Sequence, residues 1–409
     1  MAESARDHDL VVFGATGFVG RLLAAYLAEH TPPGVRVGLA GRSRTRLLEV
    51  RAALPPAARE WPVLEADAGD PASLTALAES TRVLVTTVGP YARYGMPVVE
   101  ACAAAGTHYA DLTGELLFVR EAMSRSDAVA RETGARIVHA CGYDSIPSDL
   151  STFLLAERAR ADGADGLRDV RLVATLRGGL SGGTIDSMRA QVEALQGDPS
   201  LRRVAGDPFA LSPDRAAEPD TPQPRDAGLP VRMPDGRWTA AFVMAPFNTR
   251  IVRRSNALQG WAYGRGLSYG EVMGVGRGPL GAVTAAGVSA GLVGAVSALS
   301  FGPTRAVLDR VLPAPGSGPS EAVRRNGWFR MTVDAETESG RRYRAIAAGK
   351  GDPGYRATAV MLGESALALT LDADRLPDRA GSLTPATALG DVLVERLRAA
   401  GHTYEATGV

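Results

Sequence analysis

Three glycines, Gly14, Gly17 and Gly20, follow the apolar run Leu10-Val11-Val12-Phe13 at intervals of three and open a helical pattern through Leu22, Leu23 and Leu27. The chemistry this arrangement serves is capture of a dinucleotide pyrophosphate. Gly14 permits the tight turn, Gly17 lets backbone N–H groups approach the phosphates, and Gly20 lets the helix close on the strand. The unpaired N–H groups and the positive end of the helix dipole complete an anion site. Thr16, Phe18 and Val19 belong to the same turn and are expected to line it. A purely structural strand–helix turn is the competing reading.

The next apolar run, Val35 to Ala40, ends in Gly41-Arg42-Ser43-Arg44. NAD-binding domains place an acidic residue at this point to hold the ribose hydroxyls. Here Arg42 can pair with a 2′-phosphate and Ser43 can donate to it, so the expected cofactor is NADP(H). The alternative is a solvated helix cap. Asp67, after the third run, is placed near the adenine amino group, with a surface turn as the rival reading. Val88, Gly89 and Pro90, at the end of the fourth run, should lie beside the ribose and nicotinamide, because ligands of open α/β sheets sit beyond the carboxyl ends of the strands.

The elements that must hold these residues alternate. Strands are expected over 10–13, 35–40, 61–66, 83–88, 107–112 and 135–140. Helices are expected over 45–53, from Pro71, over 97–105 and over 118–133. This rhythm specifies an α/β fold with a Rossmann doubly wound parallel sheet. After Leu150 the rhythm changes to that of a second α+β domain. A strand is expected over 170–176, and a helix capped by Thr184 runs to Leu195. Residues 197–237, rich in Pro, Asp and Arg, read as a surface excursion. A hairpin is expected over 329–338 and 341–348 about Ser339-Gly340, with closing helices over 357–371 and 386–400. The division read from this is residues 1–150 for the NADP-binding domain, 151–375 for a substrate- and lipid-facing domain, and 376–409 for a C-terminal helix returning to the first domain.

Lys+Arg and Asp+Glu balance at 45 each, and Lys350 is the only lysine, so no field attracts nucleic acid. The two cysteines, Cys102 and Cys141, make neither a metal cluster nor a disulfide framework, and no metal is expected. The polar stretch from Met1 to Asp9 has no signal-peptide character, which points to a cytoplasmic protein, with peripheral attachment at the plasma membrane as an alternative. From Gly278 to Thr304 there is no charged residue. Buried helices are the first reading of this segment. A helix touching a membrane or lipid, and a true span, are the others.

Four motifs occur in order: Gly14-Ala15-Thr16-Gly17-Phe18-Val19-Gly20, Gly89-Pro90-Tyr91-x-x-Tyr94-Gly95-x-Pro97-Val98-Val99, Gly106-Thr107-His108-Tyr109-x-Asp111-Leu112-Thr113-Gly114-Glu115, and Gly142-Tyr143-Asp144-Ser145-Ile146-Pro147-Ser148-Asp149. Together they resemble the saccharopine dehydrogenase-like oxidoreductases, most closely the branch of the mycobacterial trans-acting enoyl reductases. The match is dense over 10–155, looser at Gly182-Gly183-Thr184, and returns at Thr384-Pro385-Ala386. The resemblance implies NADP(H), a second α+β domain and a membrane-associated role in lipid biosynthesis. The implied reaction reduces a carbon–carbon double bond of a polyketide-derived or other lipid chain, free or carrier-bound. A homodimer, a dehydrogenase of amino-acid adducts and a non-catalytic NADP-binding scaffold remain as alternatives. The chain lacks Tyr-x-x-x-Lys, which argues against short-chain dehydrogenase chemistry.

Enoyl reduction needs a proton for the α-carbon and a donor to polarise the carbonyl. Tyr91, Tyr94, Tyr109, Asp111, His139, Tyr143 and Asp144 all fall at or just after expected strands. Tyr143, Asp144 and Tyr109 are the leading catalytic candidates. A helix cap is the rival role for Asp144, Ser145 and Ser148, and Cys141 reads as a packed strand residue.

Overall fold

The computed structural model describes residues 6–178, 182–226, 230–301, 318 and 320–409. Residues 1–5 of the expected polar N-terminus and residues 302–304 of the expected apolar segment lie outside these.

Apolar residues in β1 (His8–Phe13) alternate between two faces, as a strand requires. Leu10 and Val12 join one buried cluster with Leu23 and Leu27 of α1 (Phe18–His30) and Leu47 of α2 (Arg44–Ala53). Val11 and Phe13 join another with α3 (Pro71–Ser80), α4 (Tyr91–Ala105) and α5 (Leu116–Thr133). Both faces are therefore covered by helices, which is what an all-parallel sheet needs. The remaining strands are β2 (Val37–Gly41), β3 (Val63–Glu65), β4 (Thr81–Thr86), β5 (His108–Asp111) and β6 (Arg136–Val138). All pairings are parallel, in the order β3-β2-β1-β4-β5-β6, a doubly wound sheet with its switch point between β1 and β4.

The chain returns to this sheet near its end. The three-residue strand Gly381–Leu383 pairs in parallel with β6. The helix Thr358–Leu371, read from sequence as part of the second region, packs on α1, where Tyr26 donates to Glu364. The helix Pro385–Ala399 begins on a capping box made by Thr384 and Thr387.

The second sheet has seven strands. They are β7 (Leu167–Arg177), β8 (Val231–Arg232), β9 (Arg237–Ala240), β10 (Ser268–Arg277), β11 (Trp328–Thr337), β12 (Arg342–Lys350) and, after the short β13 just described (Gly381–Leu383), β14 (Thr403–Gly408). Their order is β14-β12-β11-β7-β10-β9-β8. The expected hairpin is present, with Gly340 at φ +85° donating to Thr337 O across 3.0 Å. Phe329, Met331 and Val333 of β11 face inward onto α6 (Ile146–Ala161), itself buried on nearly every side. One cluster runs from Leu10 through Tyr143 and Leu150 to Phe329 and Tyr404, so the two sheets share a continuous core.

Four expectations need correction. The fourth helix starts at Tyr91 and not at Pro97, which sits inside it. Its first turn is satisfied from outside: Glu115 accepts from Tyr91 N at 3.0 Å and Ala92 N at 2.7 Å. The helix α7 (Gly182–Gly197) starts before Thr184, two residues earlier than expected. Residues 197–237 are not a simple surface excursion. They contain α8 (Pro199–Gly206) and the buried Phe209, Ala210 and Leu211. Buried arginines of α9 (Ala245–Leu258) tie them down, Arg253 donating to Pro208 O at 3.1 Å and Arg254 to Leu211 O at 2.8 Å. Finally, the apolar segment forms one helix, α10 (Gly278–Ser300), that is not buried. Gly281 and Ala285 rest on β9 and β10, while Leu280 and Val283 are 78% and 69% exposed. The sheet has one flank to offer it, and the residues Leu280 and Val283 on the other stay exposed in spite of their apolar character.

Candidate dinucleotide and substrate site

The turn after β1 is built for close approach. Gly14 has φ +88°, and a methyl group there would stand 2.8 Å from Val88 Cγ2 and 2.9 Å from Thr87 Oγ1. A methyl at Gly20 would come within 2.1 Å of Gly14 O, so only glycine lets α1 start this near β1. Gly17 is exposed, and its N–H donates to Gly14 O at 2.9 Å. The first-turn N–H groups of α1, from Phe18 onward, then face outward without intrahelical acceptors. Thr16 lies beside them, its carbonyl held by Arg21 Nε at 3.1 Å. Thr87, Val88, Gly89 and Pro90 leave β4 on the other side of the switch point, with Thr87 Oγ1 donating to Gly14 O at 3.2 Å.

At the end of β2, Arg42 is exposed and Ser43 caps α2, its hydroxyl oxygen accepting from Arg46 N at 3.4 Å. The Ser43 O–H has no acceptor among the described residues. Asp67 is exposed, and its Oδ1 accepts from Gly69 N at 2.9 Å in a turn, which leaves one carboxylate oxygen for a ligand. This donor set, with two glycine positions that any Cβ would fill, fits NADP(H). Phe18, Val19 and the residues after them would hold the pyrophosphate, and Arg42 and Ser43 the 2′-phosphate. Arg42→Asp should therefore exchange an attractive for a repulsive contact and move the NADPH/NADH preference by about one to a few kcal/mol. Titration of both cofactors checks it; equal affinity of the unaltered protein for the two would overturn the role of Arg42.

Beyond the expected nicotinamide position lies the turn Gly142–Ser145. Asp144 keeps a partial opening to solvent, yet burial pushes its carboxyl up to about 7. A methyl at Gly114 would sit 3.5 Å from both Asp144 Oδ2 and Met244 Cε, which defines a narrow, largely apolar wall. Tyr143 is buried, its hydroxyl without a partner among the described residues and its ring edge-on to Phe329 at 5.2 Å. Desolvation raises its phenol, so it stays protonated. Asp144 makes no cap. Ser145 is the N-cap residue of α6 but donates to Asn248 Oδ1 at 3.0 Å. Asn248 in turn donates to Glu271 Oε2 at 3.0 Å, and burial pushes Glu271 up to about 7.

Tyr109 does not join this group. It is fully buried and donates to Asp111 Oδ2 at 2.9 Å, while His139 Nδ1 meets the same oxygen at 2.7 Å. Asp111 Oδ1 accepts from Thr113 N at 3.1 Å and Ala140 N at 3.0 Å. The cluster ties the ends of β5 and β6 together and so braces the Gly142 turn, but leaves Tyr109 no proton for a substrate. Tyr91 is likewise buried and Tyr94 points to solvent. Cys141 is packed at the strand end. The residues missed from sequence are Glu115, Met244, Asn248 and Glu271. Glu115 closes the third motif, and Glu271 is a carboxylate in the otherwise uncharged run Ser268–Gly276; Met244 and Asn248 carried no local signal. Two surface depressions, beside Arg341–Tyr343 and between α6 and the helix Pro385–Ala399, contain no residue of the glycine loop or the Gly142 turn.

The fold and this loop define an NADP(H)-dependent oxidoreductase with a Rossmann domain. Residues 10–138 match the saccharopine dehydrogenase NADP-binding domain. A candidate trans-acting enoyl reductase of Mycobacterium tuberculosis is 51% identical over 419 residues, covering 100% of this chain and 99% of the relative. A trans-acting enoyl reductase of Mycobacterium ulcerans is 46% identical over 419 residues, again covering 100% and 99%. Saccharopine dehydrogenase (L-Glu forming) of Saccharomyces cerevisiae has the same fold, with a TM-score of 0.56 at 11% identity over 98% of this chain and 99% of that one. The chain belongs to the trans-acting enoyl reductase family of saccharopine dehydrogenase-like oxidoreductases.

Proposed function

We propose that the protein is an NADPH-dependent enoyl reductase that saturates the α,β-double bond of a lipid-type or polyketide-derived acyl chain, free or carried as a thioester, in lipid biosynthesis. The observation that carries this reading is Asp144: a carboxyl raised to about 7 by burial, set beside Gly114 and Met244 past the carboxyl end of β6. The cofactor, when bound, would supply a hydride to the β-carbon and would leave oxidised. Asp144, neutral below about 7, gives its proton to the α-carbon and recovers one from solvent through its partial opening. Tyr143, kept neutral and without a partner for its hydroxyl, is the available donor toward the acyl carbonyl oxygen.

A long acyl substrate also gives α10 a purpose. The window Gly278–Leu299 is 22 residues long, has mean hydropathy 1.8 and is 11% buried, so it is long and apolar enough to cross a membrane. One flank is already taken by β9 and β10, where Ala241 N donates to Ser289 Oγ at 3.1 Å. This favours docking of the open flank into the cytoplasmic face of a bilayer over a crossing. The test is NADPH oxidation with long-chain 2-enoyl thioesters, with and without liposomes, alongside liposome co-sedimentation. Turnover of the enoyl substrate and membrane binding that survives high salt are expected, since apolar contact is not screened. Activity confined to small polar imines or amino-acid adducts, in a protein indifferent to liposomes, would overturn the reading.

A further inference from the structure

The first residue of α1 is clasped by the second sheet and its connections. Tyr355 meets the Phe18 ring edge-on at 4.8 Å. A methyl at Gly318 would lie 2.5 Å from Phe18 Cε1. Over the same ring, 5.1 Å from its centroid, sits the guanidinium carbon of Arg324, on the short helix α11 (Glu321–Asn326) that leads into β11. Ser320 caps that helix, and the Arg324 carbonyl accepts from Asp352 N at 2.9 Å, so the backbone beneath the arginine is tied in place.

We propose that Arg324 is a pyrophosphate-binding residue of the NADP(H) site, contributed across the two lobes of the molecule. Its Nε is buried and has no hydrogen-bond partner among the described residues. A guanidinium N–H removed from water and left unmatched is costly, so a site that keeps one has an acceptor to supply. The Asp352 carboxyl is close enough for Arg324 to favour its charged form, but its Oδ1 accepts from Arg356 N at 3.3 Å and no hydrogen bond joins it to Arg324 among the described residues. The other cation by the loop, Arg21, is turned to Thr16 O. Arg42 stands at the end of β2, where the 2′-phosphate is expected. The pyrophosphate carries two negative charges, and the α1 N-terminus meets them with N–H groups and a partial charge only. Arg324, held over the ring of the first residue of that helix, supplies a full positive charge, and a guanidinium matches phosphate oxygens in pairs. Because α11 continues into β11, cofactor binding would also draw the second sheet onto the glycine loop.

The experiment compares the unaltered protein with Arg324→Gln and Arg324→Lys. Dissociation constants for NADPH and NADH are read from nicotinamide fluorescence at low and high salt, together with the melting temperature without cofactor. Arg324→Gln is expected to weaken both cofactors by the same factor, about tenfold or more, because both carry the pyrophosphate. Its binding should also depend less on salt, and Arg324→Lys should recover part of the loss. Arg42→Asp would differ by acting on NADPH alone. The assignment is overturned if Arg324→Gln binds both cofactors within twofold of the unaltered protein. It is equally overturned if the loss comes with a matching fall in melting temperature that Arg324→Lys does not separate, since Arg324 would then only pack on Phe18. An unaltered protein that bound neither cofactor would overturn the assignment and the cofactor together.

Discussion

Asp144→Asn is expected to lower kcat for enoyl reduction by roughly 10²–10⁴-fold, the usual loss when a general acid is removed, while NADPH binding stays intact. The pH profile separates this from a structural effect. Asp144 is an acid raised from 3.8 to about 7, so it holds its proton below about 7 and loses it above. A proton donor of this kind gives a rate that is level at low pH and falls as pH rises through about 7. The Asn variant should lose that descending limb. Stability also falls with rising pH, but over the window below about 7. An acid whose folded-state pKa is raised costs the folded protein stability as pH climbs from the unfolded value toward about 7, because the unfolded chain ionises there while the buried carboxyl keeps its proton. Asn removes that cost, so the variant should melt no lower than the unaltered protein at alkaline pH. A variant that keeps most of its kcat and the same limb would remove Asp144 from the chemistry. Glu271, also raised to about 7, would then be the group to test for the limb.

Gly17→Val is expected to fold and to lose NADPH. A Cβ at Gly17 lies 3.3 Å from Gly14 O, tight but open to a small adjustment, because the residue is exposed. The branched side chain would stand where the phosphates approach. Losing two charge-assisted N–H···O contacts, each about 1.5–3 kcal/mol, corresponds to roughly 10²–10⁴-fold in affinity. Gly20→Ala gives the contrast. Its methyl would meet Gly14 O at 2.1 Å, backbone that cannot yield without parting α1 from β1. That variant should fail first in stability, by about 1–3 kcal/mol or more, as overpacked cores do. Circular dichroism and nicotinamide fluorescence on both proteins check the pair. NADPH binding retained by a folded Gly17→Val protein would move the cofactor away from this loop.

The Rossmann sheet and its turn were legible because their determinants are local. Strand alternation, the glycine spacing and the change of residue type after β2 each lie within a few positions, and periodicity reports them directly. The hairpin about Ser339-Gly340 was legible for the same reason. The start of α4 was not, because Glu115, which satisfies its first N–H groups, is 24 residues from Tyr91. The strand Gly381–Leu383 was not, because three residues carry no period and the edge of β6 alone makes them a strand.

By itself, then, the sequence determined the dinucleotide-binding half: its fold and the glycine turn that joins β1 to α1, because those depend on neighbours along the chain. Tertiary structure alone decided the substrate side. It separated Tyr109, spent on Asp111, from Asp144, whose raised carboxyl needs walls from Gly114 and Met244. It exposed the flank of α10 that composition suggested was buried, and it set Arg324 over Phe18. Burial, acidity and cation placement are sums over atoms brought together from distant segments, and no spacing within one segment encodes them.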